Sequence, residues 1–264
     1  MTHGARFARV AVITGAVLIA TASVPAAHRQ SVGASSWGLA ALRAPPAPAL
    51  KIGAPLRLDS GRFLGRWTIL RAGADAHTRP GPDAPVITRL GRWTSDGTPN
   101  ALQVLGSRAD GDGRLWVEVR LPVLPNGRVG WIRRELLGAY ETVDTHLFVD
   151  REHLRLTLLR GGKIVFTAPV GIGTDEWPTP AGDYMIRDEL TRYARPFYGP
   201  IAFGTTARSA VLTEWPGGGF IGIHGTNEPA LLPGRVSHGC IRMRNADILR
   251  LARLMPVGTP VTIR

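Results

Sequence analysis

Turn residues punctuate this chain more densely than a set of long helices would tolerate. Glycine and proline supply 32 and 21 of its 264 residues, and they cut the apolar pattern into short runs that suit strands. A mainly β protein is predicted. Between Arg66 and Leu137 the strand candidates are Trp67–Arg71, Val86–Leu90, Ala101–Ser107, Leu115–Leu121 and Val129–Arg133. Asp110-Gly111-Asp112-Gly113 and Pro125-Asn126-Gly127 read as tight turns, Asn-Gly being a strong hairpin cue. Further on, Leu147–Asp150, Arg155–Leu159 and Lys163–Ala168 predict a meander, and Pro260–Arg264 a closing strand. One helix is predicted over Asn245–Met255. Asn245 would be its N-cap, Leu249, Ala252 and Met255 its main face with Ile248 and Leu251 beside them, and Pro256 and Gly258 its stop.

The N-terminus carries Arg6 and Arg9, then an uncharged run from Val10 to Ala27 ending in small residues. That order matches a secretory signal. An uncleaved anchor is the alternative, since ~18 residues is the low edge of what spans a bilayer. Either way the remainder is expected outside the cytoplasm, secreted or held at the membrane or wall through this segment. Residues 28–62, with Arg43-Ala44-Pro45-Pro46-Ala47-Pro48, read as a semi-rigid linker. The expected division is 1–27 signal peptide or membrane anchor, 28–62 linker, 63–140 a small barrel and 141–264 a second domain. Within the third segment, Trp116–Val119 followed by Gly127–Ile132 resembles the last strands of a bacterial Src-homology-3-like barrel. Trp116 and Trp131 read as core, with an aromatic ligand surface as the alternative. The formal charge is +12, and only Lys51 and Lys163 among the 32 basic residues are lysines. Such a surface suits solvated charge or attraction to an anionic wall polymer. It has no basic block or helical stripe of the kind nucleic-acid binders carry, so no nucleic-acid partner is expected.

Chemistry concentrates around the lone cysteine, Cys240, in Ser237-His238-Gly239-Cys240-Ile241-Arg242-Met243, with His224 sixteen residues upstream. A single thiol near two histidines in an exported chain suits a nucleophile with an imidazole base better than a disulfide. The thiol is mostly protonated at its usual pKa of ~8.5, so it needs a neighbour to activate it. His238 would share a side with Cys240 if the segment is extended, whereas His224 needs the fold to bring it near. The residues alone leave both open. Gly239 permits a tight turn that would free backbone N–H groups for an oxyanion hole. A buried structural cysteine is the bland alternative. A metal held by His224, His238 and Cys240 is disfavoured, because a second short-spaced ligand pair is missing.

Residues 224–242 resemble the signature of the L,D-transpeptidase family with a YkuD-type catalytic domain. Its positions are met by His224, Gly225, Thr226, Ser237, His238, Gly239, Cys240, Ile241 and Arg242. Val170–Gly173, Thr179–Gly182, Pro196–Pro200 and the run before His224 also fit. The resemblance implies a YkuD-type β-sandwich with a short C-terminal helix, preceded here by the Src-homology-3-like barrel. It implies that Cys240 attacks a peptidoglycan stem peptide after its third residue, a diamino acid, and expels the terminal D-alanine. The thioester then passes to the side-chain amine of a second stem, cross-linking the wall and maintaining cell shape. His224 would be the base, oriented through its other ring nitrogen by a carbonyl such as that of Gly225. His238 would shape the site and tune the thiolate, and backbone groups at Gly239 and Cys240 would bind the oxyanion. Arg242 would hold the loop or a substrate carboxylate, a structural ion pair being the alternative. Gly225, Thr226, Ser237 and Tyr198 are expected on the substrate side. Trp177, Trp215 and Phe220 line the groove or simply pack. Asp144, Asp150, His146 and His153 read as turn and surface residues. No metal or cofactor is required, and a monomer acting on stem peptides is expected. An L,D-carboxypeptidase and a non-catalytic wall-binding scaffold are the competing readings.

Overall fold

The computed structural model describes residues 56–57, 64–191, 196–212 and 219–264. The expected signal or anchor, nearly all of the expected linker, and Trp215 lie outside the described residues. Among the described residues no helix is long and apolar enough to cross a membrane.

The first sheet contains β1 (Leu56–Arg57), β2 (Gly65–Ile69), β3 (Ala74–His77), β4 (Val86–Leu90), β5 (Ala101–Ala109), β6 (Leu115–Arg120), β7 (Val129–Arg133) and β8 (Glu141–Val143). Its order is β4-β3-β7-β6-β5-β2-β8, with β1 on β5. Each expected strand of this region is present within two residues, because each is an apolar run closed by a turn residue. The Asp110 turn closes as predicted, with Oδ1 accepting the N–H groups of Asp112 and Arg114 at 3.0 and 2.9 Å. Strand β3 was not predicted: its sequence, Ala-Asp-Ala-His, has no large apolar or β-branched residue, and its ladder to β4 is what makes it a strand. Strand β8 pairs with β2, which carries the first sheet past the expected boundary at residue 140 to Val143. Leu70, Leu102, Val104, Val117, Val119, Ile132 and Leu137 fill its core. Trp116 and Trp131 are buried, and the Trp116 indole N–H donates to Asp110 Oδ2 at 2.8 Å, so both rings pack rather than form an exposed face.

The second sheet contains β9 (Thr145–Asp150), β10 (Arg155–Arg160), β11 (Lys163–Pro169), β12 (Gly171–Gly173), β13 (Gly182–Leu190), β14 (Ala202–Arg208), β15 (Phe220–His224), β16 (Gly234–Ser237), β17 (Ile241–Arg242) and β18 (Pro260–Ile263). The order is β11-β10-β9-β18-β13-β14-β15-β17-β12-β16, so the predicted meander and closing strand are present. Strand β13 joins the halves: Gly182–Met185 pairs with β18, and Ile186–Leu190 with β14. Side chains of both halves share one core, with Leu147, Leu156 and Leu158 meeting Phe203, Ile221, Ile223 and Ile241. Each such fully buried aliphatic contributes roughly 1.5–3 kcal/mol.

The helix, α1 (Asn245–Ala252), departs from expectation in three ways. Its N-cap position is Arg244, with no side-chain cap bond, and the Asn245 amide is used elsewhere. It ends at Ala252 rather than Met255. Its buried residues are Ile248 and Leu251, spaced i, i+3, with Met255 buried just beyond its end, whereas Leu249 is 39% exposed. The turn that carries α1 back to β18 also meets the first sheet. Gly258 has φ +89°, and a Cβ there would lie 2.0 Å from Trp67 Cδ1, so the indole can lie on the backbone only because residue 258 is glycine.

Candidate active site

Parallel pairing of β15 with β17 sets Ile223 opposite Ile241 and His224 opposite Arg242. Residues sixteen apart in the chain thus become ladder neighbours, and Cys240 stands at the entry to β17 beside β15. The Gly222 N–H donates to Cys240 Sγ at 3.4 Å. A methyl group placed on Gly222 would be 3.8 Å from both Cys240 Sγ and His224 Cδ2, so thiol and imidazole flank one small space. His224 is 1% exposed, and its Nδ1 lies 2.6 Å from Gly225 O. A carbonyl only accepts, so Nδ1 carries the proton and Nε2 is left as the basic atom. The Tyr198 ring stands edge-on to the imidazole, 4.8 Å between centroids.

Burial pushes the His224 pKa down to about 4, the Arg242 charge acting in the same direction and the Gly225 carbonyl against it. Burial pushes the Cys240 thiol up, partly opposed by the Gly222 N–H and Arg242. Both shifts favour the uncharged form. Desolvation thus opposes charge on both groups, so activation of the thiol rests on transfer of its proton to His224 rather than on the surroundings alone.

The loop carrying the thiol is tied from three sides. Gly239 has φ +111°, and its N–H donates to Ser237 Oγ at 3.1 Å. Ser237 Oγ in turn donates to Cys240 O at 2.5 Å. Thr179 Oγ1 donates to Gly239 O at 2.7 Å and accepts the Gly173 N–H at 2.9 Å. The Gly239 N–H, one of the expected oxyanion donors, is therefore engaged by Ser237 within the loop. Ser237 is 2% exposed with its hydroxyl engaged inside the loop, so it holds the turn although it borders the pocket. Thr226 is likewise buried: its N–H donates to Asn245 Oδ1 at 2.9 Å, and its Oγ1 accepts the Glu228 N–H at 3.0 Å. Gly225 is glycine for space, since a Cβ there would lie 2.3 Å from Asn245 Oδ1. All three hold the site's backbone in place, and of them Ser237 also borders the pocket.

The remaining predicted residues divide. The positive φ at Gly239 breaks the extended geometry that would have set His238 and Cys240 on one side. His238 is exposed at the pocket rim, its ring 4.3 Å from that of Trp177. Arg242 forms an ion pair with Glu228 at 3.2 Å and lies over the Phe197 ring at 4.9 Å, the structural alternative of the two readings, while still bordering the pocket. The pocket is partly open to solvent; Phe197, Tyr198, Leu212, Phe220, His224 and Cys240 are among its lining residues. Among the described residues no group of three or more His, Cys, Asp or Glu is placed to hold a metal ion. Two supporting residues, Thr179 and Asn245, lay outside the predicted set. Thr179 sits in a Thr-Pro-Ala-Gly turn whose side-chain target is sixty residues away. Asn245 had a helix-cap signal that masked its bond to Thr226.

A family profile for the YkuD L,D-transpeptidase catalytic domain matches residues 144–263. YkuD of Bacillus subtilis, named as an L,D-transpeptidase, is 37% identical over 122 residues, which is 46% of this chain and 67% of that protein. YqjB of the same organism, named likewise, is 28% identical over 128 residues, 46% of this chain and 71% of that one. Among solved structures, the catalytic domain of an Enterococcus faecium L,D-transpeptidase is 23% identical with a TM-score of 0.36, covering 46% of this chain and 97% of that domain.

Proposed function

The chain belongs to the L,D-transpeptidase family with a YkuD-type catalytic domain, and from that premise we propose the reaction it runs. The acyl donor is a peptidoglycan stem peptide whose third residue is a diamino acid. Its backbone carbonyl enters the space between Cys240 and His224. Cys240 Sγ attacks the carbonyl carbon while His224 Nε2 takes the thiol proton, so charge appears only as the bond forms. The Cys240 N–H is the donor we assign to the oxyanion, the Gly239 N–H being engaged by Ser237. Collapse breaks the peptide bond, and His224 returns the proton to the departing D-alanine amine. The side-chain amine of a second stem then attacks the thioester, and the thiol is released. A thioester suits transfer to an amine without ATP, which is absent outside the cytoplasm. Export through residues 1–27, a linker over 28–62 and a Src-homology-3-like barrel built on the first sheet complete the proposal. In it the basic surface favours residence on an anionic wall.

The observation that carries this reading is the joint placement of Cys240 Sγ and His224, whose Nδ1 is held by the Gly225 carbonyl, about one small space beside Gly222. Intact-protein mass spectrometry after exposure to a carbapenem, a β-lactam that presents a strained acyl donor, tests it. A single adduct is expected, absent in Cys240→Ala and slowed in His224→Ala. A folded protein whose thiol takes no adduct would overturn the reading.

A further inference from the structure

Phe220 forms one wall of the thiol pocket and lies on β15, two residues before the Gly222 N–H that meets Cys240 Sγ. Two guanidinium groups lie over its ring. Arg187 Cζ is 3.8 Å and Arg208 Cζ 4.6 Å from the ring centroid. Such stacking fixes a ring's position while leaving the cation charged. Neither arginine is anchored by the second sheet alone. Arg187 is 4% exposed and pairs with Asp96, in the turn between β4 and β5 of the first sheet. Thr98 of the same turn donates to Asp188 Oδ2 at 3.0 Å, and that carboxylate also lies 3.2 Å from Arg187 Nε. Arg208 is gripped through its backbone by Asn126, in the turn between β6 and β7: Nδ2 donates to Arg208 O at 2.7 Å, and Oδ1 accepts the Arg208 N–H at 3.0 Å. Two separate turns of the first sheet thus converge, through two arginines, on one aromatic wall of the pocket.

We propose that Asp96 and Asn126 are positioning residues for the acyl-donor site, setting the Phe220 wall from the first sheet and thereby selecting the donor. The physical reason is the ring's dependence on its anchors. Without Asp96 the Arg187 guanidinium keeps Asp188 as its one carboxylate partner among the described residues, and without Asn126 the Arg208 backbone loses both of the Asn126 side-chain bonds and keeps its ladder to Phe220. Either change lets the ring shift into or away from the pocket while leaving the Gly222, Cys240 and His224 contacts in place. Loss of donor binding rather than of chemistry is the consequence. The inference rests on the reaction proposed above, and its test separates the two.

In the full-length chain, Cys240 is alkylated with iodoacetamide, which needs no wall, and with N-phenylmaleimide, whose ring must pass Phe220. D-alanine release from a tetrapeptide stem is followed alongside. Asp96→Asn and Asn126→Ala are each expected to lower the phenylmaleimide-to-iodoacetamide rate ratio roughly three- to tenfold, the range of a single lost coupling. KM for the stem should rise similarly with kcat held, and Asp96→Glu should recover most of the ratio. Breaking a buried ion pair can unfold a domain, so Asn126→Ala, on a half-buried turn, carries the decision if Asp96→Asn does not fold. An unchanged ratio in folded Asn126→Ala overturns the proposal, as does a fall in kcat at constant KM. A shifted ratio in a chain that releases no D-alanine sustains the positioning role and refutes the donor reaction instead.

Discussion

Acid should destabilise this protein through His224 in a way that one substitution removes. The imidazole is 1% exposed and its pKa is pushed down to about 4, against ~6.5 in an unfolded chain. Between those values the unfolded chain binds a proton at this residue and the folded chain does not, so unfolding takes up a proton. Stability therefore falls as pH drops from about 6.5 to about 4, and the contribution is level outside that window. A shift of about 2.5 pH units at ~1.4 kcal/mol each amounts to about 3 kcal/mol, a large share of a typical folding free energy. His224→Gln keeps a donor for Gly225 O and removes the titration. Urea unfolding followed by tryptophan fluorescence, at pH steps from neutral to about 4, measures both proteins. Carboxylates that titrate in the same range do so in both, so the difference curve isolates His224. The wild type should lose about 3 kcal/mol more than the variant over the window. Parallel curves would refute a buried neutral imidazole. A variant that loses more than the wild type would mean the folded state holds an imidazolium, and with it a thiolate at Cys240.

Two further outcomes follow from contacts at the site. Thr179→Val removes a hydroxyl that satisfies the Gly173 N–H and the Gly239 carbonyl at a position 1% exposed. It should cost about 2–4 kcal/mol in chemical denaturation, with Thr179→Ser recovering most of it; a loss below about 0.5 kcal/mol would mean the loop is held by other contacts. Gly222→Ala meets nothing closer than 3.6 Å, so stability should stay within about 0.5 kcal/mol. Its methyl would nonetheless enter the space between Sγ and the imidazole, and carbapenem acylation should slow about a hundredfold, as a displaced acyl carbonyl would require. An unchanged acylation rate would show that the carbonyl approaches Cys240 from another side.

The strands legible in the sequence, β2, β4–β7, β9–β11 and β18, are short apolar runs bounded by their own turn residues, and turn geometry is decided within a few residues; β12–β17, which carry the site, were not marked out in this way. The Asp110 turn shows this directly: side chain, backbone partners and Gly113 all lie within five residues. The Cys240 motif was equally plain, since it is contiguous. Local composition could not reveal β3, whose Ala-Asp-Ala-His sequence becomes a strand only through its ladder to β4 and β7. Nor could it show that α1 turns Leu249 outward, because the choice of buried face belongs to what the helix packs against.

At the site the same division holds. Residue types and spacing determined that the lone thiol had two histidine candidates, His224 and His238, both preceding it in the chain. Which histidine adjoins it was decided by the parallel pairing of β15 with β17, a contact that forms only after the intervening chain is placed. The grip of Thr179 on the loop and the contacts of the Asp96 and Asn126 turns with Arg187 and Arg208 likewise join groups whose partners the chain order conceals. The directions in which the pKa values of the pair are pushed are a matter of tertiary structure as well, because desolvation is a property of what surrounds a group in space and not of its neighbours in sequence.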